Sequence, residues 1–500
     1  MSDRLVVVGA GSAGAVIAAR VTEDASEEVL LIEAGPHHTP PALPGDLANG
    51  RRNSTDDHDW GYRFLPNETH DVAPLPRGRV TGGSSAVNTC IALRGQPYDF
   101  DEWAQIAGRH WRWEHCLPAF KRLERDLDID NEWHGQSGPI PIRRHRPEEL
   151  VPFQAAFLEA CASAGHPRCD DHNDPTTTGA GPHAMNKVDG RRISTAEAYL
   201  TPALGRDNLT LWADTEVVRV LFRGRRVSGL EVRRPNGRRE RLRADRVVLS
   251  AGVIATPGIL LRSGIGPRPA LERLGIQVMS DLPVGQHLLD HPGSVIVMPL
   301  VDPTLASGDQ PLIQTTMRFT VDDRHPNEMQ LQPVSFVDLP GIPLMVAMTV
   351  VVGKSAGSGY LYYDSPAVDA KPHIFPQLGL HSEDRRRIRR GVELALDVAH
   401  QPVMRDIATV VWPTPAQLKL EDSGWMLPGI GSGYHPCGTA PMGPLGDGRS
   451  VCDGHGRVYG VEGLYVADGS IMPTVPSSNL NLPTIMIGER FGAWFRAREI

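Results

Sequence analysis

The run Leu5-Val6-Val7-Val8-Gly9-Ala10-Gly11-Ser12-Ala13-Gly14 constrains this chain more than any other stretch of it. Four consecutive apolar residues, three of them β-branched, read as a strand buried on both faces. The glycines follow in G-x-G-x-x-G spacing, Ala15 to Val21 read as a small-residue helix, and Val29 to Ile32 read as a second buried strand ending at Glu33. A lone G-x-G-x-x-G is weak evidence. Strand, glycines, helix, strand and acid in this order specify a Rossmann-type dinucleotide site. Gly9 permits the tight turn, Gly11 lets backbone approach a pyrophosphate, and Gly14 lets helix and strand pack closely. Ser12 and Ala13 open the helix, whose free N–H groups and positive dipole end suit phosphates. Glu33, followed by Ala34, is placed to accept hydrogen bonds from the adenosine ribose. The motif alone does not separate FAD from NAD.

A chain of 500 residues exceeds one ordinary core, so two or three units are expected. Its 51 basic and 59 acidic residues leave a net charge of −8, which gives no broad footprint for nucleic acid. The basic run Arg385 to Arg390 reads as a solvated helix face. Six cysteines without a C-x-x-C pair read as free thiols in a reducing compartment. No apolar stretch is long enough to span a membrane, and Met1 to Arg4 lead straight into the first strand without a leader pattern. These features predict a soluble cytoplasmic protein with no membrane or nucleic-acid partner. The pair His37-His38 lacks further ligands at metal spacing, so no metal is expected. The 51 glycines and 43 prolines must sit where backbone bends or where something lies against it.

Further clusters follow in order. Arg77-Gly78-Arg79-Val80-Thr81-Gly82-Gly83-Ser84-Ser85-Ala86-Val87-Asn88 is the second. Val247 to Pro257, with Ser263 to Pro267, is the third. The last comprises His435-Pro436-Cys437-Gly438-Thr439-Ala440-Pro441-Met442-Gly443, then Val466 to Ser470, then Asn479-Leu480-Asn481-Leu482-Pro483-Thr484. Asp59 to Tyr62, Arg191 to Ala196 and Asp290-His291-Pro292 add smaller matches. Together these resemble the glucose–methanol–choline (GMC) family of FAD-dependent oxidoreductases over nearly the whole chain. The resemblance implies an α/β, glutathione-reductase-like Rossmann-type FAD-binding domain made of residues 1–150, 185–300 and 433–500. It also implies an α+β substrate domain with an antiparallel sheet, made of 151–184 and 301–432. Strand-like alternation from about 300 to 380 and the helical spacing of Ile388, Val392, Leu396 and Ala399 are compatible with it.

By that resemblance Thr81, Gly82, Ser84 and Asn88 line the flavin and its diphosphate. The Val217 backbone meets the adenine, Ala251 and Gly252 lie near the nucleotide end, and Asp468 and Gly469 hold the ribityl–pyrophosphate region. Oxidising an alcohol by hydride transfer to flavin N5 requires a base for the hydroxyl proton and donors for a developing alkoxide. The resemblance makes His435 that base and Asn479 its partner, with Asn481 as an alternative and a further cofactor contact. Tyr434 and Val87 are candidate pocket walls. Val87 stands where some members link flavin through histidine, so the FAD is expected to be non-covalent. The expected reaction converts a primary or secondary alcohol to aldehyde or ketone, with O2 or another acceptor reoxidising the flavin. The alternative is a cyanohydrin-cleaving lyase on the same scaffold. Choline oxidases place a carboxylate against the trimethylammonium group. The loosely matching Gln314-Thr315-Thr316-Met317 offers none, so a neutral or weakly polar alcohol is expected, and Ser355-Ala356-Gly357 departs from the usual Ser-Arg-Gly, so the family's specificity does not transfer. Oligomeric state is not indicated.

Overall fold

The strand Leu5–Val8 lies at the centre of a five-stranded parallel sheet, which is why it carries no polar residue. The structure, a computed structural model, describes residues 4–40, 42–54, 57–338, 341–420 and 425–500. The sheet runs in the order Leu209–Trp212, Val29–Ile32, Leu5–Val8, Arg246–Leu249, Leu464–Val466. Val6 pairs with Leu30 on one side and with Val247 on the other. The sheet therefore joins residues from both ends and the middle of the chain.

The helix Gly14–Val21 buries every residue except Arg20. It lies against the helix Asn481–Arg496, and small residues set how closely the two approach. A Cβ on Gly488 would stand 2.8 Å from the Ala13 carbonyl oxygen, and one on Gly492 would stand 2.6 Å from the Arg20 Cβ. Between them, the fully buried Glu489 accepts from the Arg20 guanidinium at 2.8 Å, the Arg122 Nε at 2.8 Å and the Tyr199 hydroxyl at 2.7 Å.

The second large sheet is antiparallel, in the order Ile430–Ser432, Pro292–Pro299, Met345–Val352, Met329–Val337, Thr315–Phe319, Gly179–Pro182. The strand Pro292–Pro299 falls in the segment assigned by resemblance to the FAD-binding part, yet it pairs into this sheet along its whole length. One face packs on the helix Ser382–Ala399, where a Cβ on Gly391 would meet Val350, Met329 and Phe319. Alternation turns Gln330, Gln332, Thr349 and Val351 to the opposite face.

The arginine run on Ser382–Ala399 is not a uniformly solvated face. Arg386 and Arg390 are exposed, but Arg387 is buried on the stripe with Asp384, Ile388 and Gly391. There its guanidinium bonds Asp322 at 2.8 Å and the Lys354 carbonyl at 2.6 Å, so the charge is paired inside the fold. All six cysteines are buried and free. Among the described residues no helix is long and apolar enough to cross a membrane.

Candidate active site

A cavity of about 1110 Å³ joins the glycine loop of the parallel sheet to the open face of the antiparallel one. Of the residues expected at the cofactor, Gly9, Gly11, Ser12, Ala13, Glu33, Ala34, Ser84, Asn88, Val217, Ala251, Gly252, Asp468, Gly469 and Asn481 line it. His435, Asn479, Tyr434 and Val87 line it as well. Gly14, Thr81 and Gly82 do not. A Cβ on Gly14 would come within 1.9 Å of the Gly9 carbonyl oxygen, so this glycine serves the strand–helix contact behind the wall. The Thr81 hydroxyl turns to His37 Nδ1 at 3.0 Å, and the Gly82 N–H donates to the Ala10 carbonyl at 2.7 Å. Gly82 thus braces the glycine loop from outside, and Thr81 braces the segment that follows the second strand.

The cradle is rich in fixed polar groups. The Glu33 carboxylate accepts the N–H groups of Ala10 and Gly35, each at 2.8 Å, which holds it at the end of its strand. Burial pushes its pKa up to about 7 against those bonds. Asp468 accepts from the Gly252 N–H at 2.8 Å, the Thr256 hydroxyl at 2.7 Å and the Ser470 N–H at 2.7 Å. It thereby ties the helix Gly252–Arg262 to the turn after Leu464–Val466. Asn481 accepts from the Ser12 hydroxyl at 3.3 Å. Asn481 Nδ2 and Asn479 Oδ1 are buried without a protein partner. A Cβ on Gly11 would meet nothing nearer than 3.8 Å, leaving the loop open on that side. An open glycine loop, an acid at the second strand end, and one unpaired amide donor beside one unpaired acceptor fit a flavin dinucleotide. Its heterocycle carries N–H and C=O edges of both kinds.

The His435 end of the cavity is built on Asp290, which the sequence offered only as part of the D-H-P triplet. Its carboxylate accepts the His291 N–H at 2.7 Å, the His435 N–H at 2.9 Å and the Ser432 hydroxyl at 2.5 Å. Ser432 Oγ in turn accepts the Tyr434 N–H at 2.7 Å. This clamp holds Tyr434 at a left-handed φ of 61°, a strained conformation for a tyrosine, and delivers His435 into the cavity.

The hydrogen bonds of His435 fix its tautomer. His291 Nε2 lies 2.9 Å from the Pro476 carbonyl, which only accepts, so His291 carries its proton there. Its Nδ1 is then an acceptor, and the His435 Nδ1 facing it at 3.0 Å must donate. The His435 Nε2 is left as a bare lone pair, and it receives the Asn479 amide N–H at 3.1 Å. Both rings are held neutral. Burial is the main cause of lowering for each, taking His291 to about 4 and His435 well below 6.5, with His291 and Arg77 adding to the latter. The signal for His291 was the D-H-P triplet. Its distance of 144 residues from His435 hid the contact.

Gln314 does not reach the cavity. Its side chain bonds the Val151 N–H and the Glu149 carbonyl. The wall is instead formed by Leu312, Ile313, Gln330, Gln332, Thr349 and Val351. Elsewhere, Glu124, Asp126 and His134 come close enough to hold a cation. Arg94 pairs Glu124, Arg144 bridges Asp126 and Asp171, and His134 bonds Asp126 and Asp171 at 2.8 and 2.7 Å. Those carboxylates raise the His134 pKa to about 10 against the cost of burial, so three cations face three anions.

Two family models, each described as GMC oxidoreductase, match residues 3–293 and 355–488. Choline dehydrogenase of Homo sapiens is 36% identical over 532 residues, covering 97% of this chain and 88% of its own. The 5-(hydroxymethyl)furfural oxidase of Methylovorus sp. is 33% identical over 526 residues, covering 97% of each. Among solved structures, pyridoxine 4-oxidase from Mesorbium loti superposes with a TM-score of 0.91 at 29% identity, covering 99% of each chain. The chain belongs to the GMC oxidoreductase family and is an FAD-dependent oxidoreductase acting on alcohol groups.

Proposed function

We propose that this protein oxidises a neutral primary or secondary alcohol to the aldehyde or ketone, with His435 as the general base. The observation that carries this reading is the bare Nε2 lone pair of His435 in the cavity, with the Asn479 amide beside it. Bound flavin supplies the two-electron acceptor for the hydride that leaves the carbinol carbon. Gly9, Gly11, Ser12, Glu33, Asp468 and Asn481 are the residues that would hold it. His435 Nε2 takes the hydroxyl proton. Its Nδ1–H stays directed at His291, which keeps the ring from turning its lone pair away. The Asn479 N–H, released from Nε2 by the incoming hydroxyl, donates to the oxygen as charge develops there.

The neighbouring relatives act on choline, on 5-(hydroxymethyl)furfural and on pyridoxine, by their names. The matches to the family models leave out 294–354, and that span holds Gln330, Gln332, Thr349 and Val351 of the substrate wall. Specificity is therefore set by this chain's own residues. Val87 has no atom that forms a flavin bond, which supports non-covalent FAD. Acid denaturation is expected to release all the yellow colour into the supernatant. An anaerobic screen of alcohols is expected to bleach the bound flavin, and admitting air then separates an oxidase from a dehydrogenase. A holoprotein that no alcohol bleaches would overturn the reading.

On the acid side the proton step should depend on pH through His435 and the His291 ring bonded to it. Only the neutral form of His435 accepts a proton, and burial lowers its pKa well below 6.5. The expected profile of kcat/KM shows no fall at the ordinary histidine value of 6.5 and drops only at pH well below it. An acid limb centred at or above the ordinary histidine value would remove His435 from the proton step.

A further inference from the structure

Gln330 and Gln332 stand side by side on one strand, 3% and 8% exposed, with their amides in the cavity. The strand register carries the row Gly431, Gly293, Val351, Gln330 across the sheet. Three strand spacings, roughly 14 Å, thus separate the backbone just before the His435 loop from Gln330. The two glutamines face that loop from the far wall. Gln332 Nε2 donates to Gln330 Oε1 at 3.1 Å and meets His183 Nε2 at 3.3 Å. His183 is itself fully buried and anchors the pair from behind. Gln330 Nε2 and Gln332 Oε1 remain, a donor and an acceptor open to the cavity. Turning both amides over leaves the same offer, because Gln330 Oε1 and Gln332 Nε2 would then face the space. The offer of one donor and one acceptor is therefore a property of the pair.

The other cavity-facing members of this wall, Leu312, Ile313, Val334, Thr349 and Val351, carry no charge. Five acids lie elsewhere in the lining: Glu216 and Asp369 are paired with Arg233 at 2.5 and 2.6 Å, Asp59 accepts the Arg77 N–H at 2.6 Å, and Glu33 and Asp468 are held by the donors of the cofactor cradle. We propose that Gln330 and Gln332, held by His183, form a neutral recognition subsite. It selects alcohols that carry a second uncharged polar group, a hydroxyl, carbonyl or ring heteroatom, at the end remote from the carbinol. This rests on the alcohol-oxidation reading above. An alcohol ending in a methyl group leaves one donor and one acceptor of the pair unmatched, and sites built on such groups reject the analogue lacking the partner.

The test uses the FAD-loaded enzyme and two probes differing by one hydroxyl, 1,4-benzenedimethanol and 4-methylbenzyl alcohol. Two quantities are measured for each: the rate of anaerobic flavin bleaching, and the Kd from perturbation of the flavin's visible absorbance. The diol is expected to be favoured by about tenfold or more in either quantity. In Gln330→Leu and Gln332→Leu the ratio is expected to fall to near one. The wild-type comparison decides even where a variant fails to load flavin. Equal Kd and rate for the two probes, or a preference that both variants retain, overturns the subsite. A preference in Kd without bleaching keeps the subsite and overturns the oxidation reading. Bleaching without a preference does the reverse.

Discussion

His435→Ala lowers kcat/KM for alcohol oxidation by roughly 10²–10⁴-fold while the flavin stays bound, the range lost with a positioned general base. The two halves of that result have separate structural causes. The imidazole contacts Asn479 and His291, whereas the carboxylates of the cofactor cradle, Glu33 and Asp468, are held by backbone and hydroxyl donors of other segments. Removing the ring therefore takes away the proton acceptor without loosening the cradle. The backbone N–H of residue 435 still donates to Asp290, so the turn that carries it keeps its clamp. The measurement is single-turnover flavin reduction under anaerobic conditions, with the visible spectrum recorded before mixing. A variant that reduces its flavin within a few-fold of the wild-type rate would exclude His435 as the base. A colourless variant would mean that the ring also holds the cofactor.

Glu489→Ala is expected to destabilise the protein by about 1–3 kcal/mol, the cost of leaving buried polar groups without their acceptor. Glu489 is fully buried and sits where the helices Gly14–Val21 and Asn481–Arg496 meet. Its loss leaves the enclosed Tyr199 hydroxyl without its acceptor and the partly exposed Arg20 guanidinium with Glu23 alone, at 2.7 Å. Arg122 is half-exposed and regains water, so it adds little. The glycine contacts at 488 and 492 prevent the helices from shifting to fill the space. Denaturant unfolding of the holoprotein, followed by flavin fluorescence and by far-UV circular dichroism, measures the loss. Because the second helix begins at Asn481 in the cavity wall, flavin release should precede loss of helix. A loss below about 1 kcal/mol, the scale of an exposed pair, would show that water reaches this cluster.

The parallel core was legible because its signals are local. A four-residue apolar run, three glycines and an acid at fixed offsets carry their own geometry, and the strands Leu5–Val8 and Val29–Ile32 form where those signals fall. Partners far along the chain were not legible. Nothing in Gly488-Glu489-Arg490-Phe491-Gly492 says that it packs on Gly14–Val21, since a small-residue stripe names no partner. The D-H-P triplet was visible, but only the folded chain brings His291 to His435. Gln330 and Gln332 were masked by the usual inference that the polar side of an alternating strand meets water. Here that side meets the cavity, and the apolar side meets the helix Ser382–Ala399. Arg387 misled for a related reason, because a charged run on a helix must turn one member inward every third or fourth residue.

The parallel sheet takes its central strand from residues 5–8 and its edge strand from residues 464–466, and the first helix is covered by the last. At ribosomal speeds of roughly 5–20 residues per second, the glycine loop is made about 20–90 seconds before its covering helix. Through that interval an apolar strand and a small-residue helix wait without their final neighbours. This chain should therefore depend on holding chaperones during synthesis, and cofactor loading should be the closing event of its biogenesis.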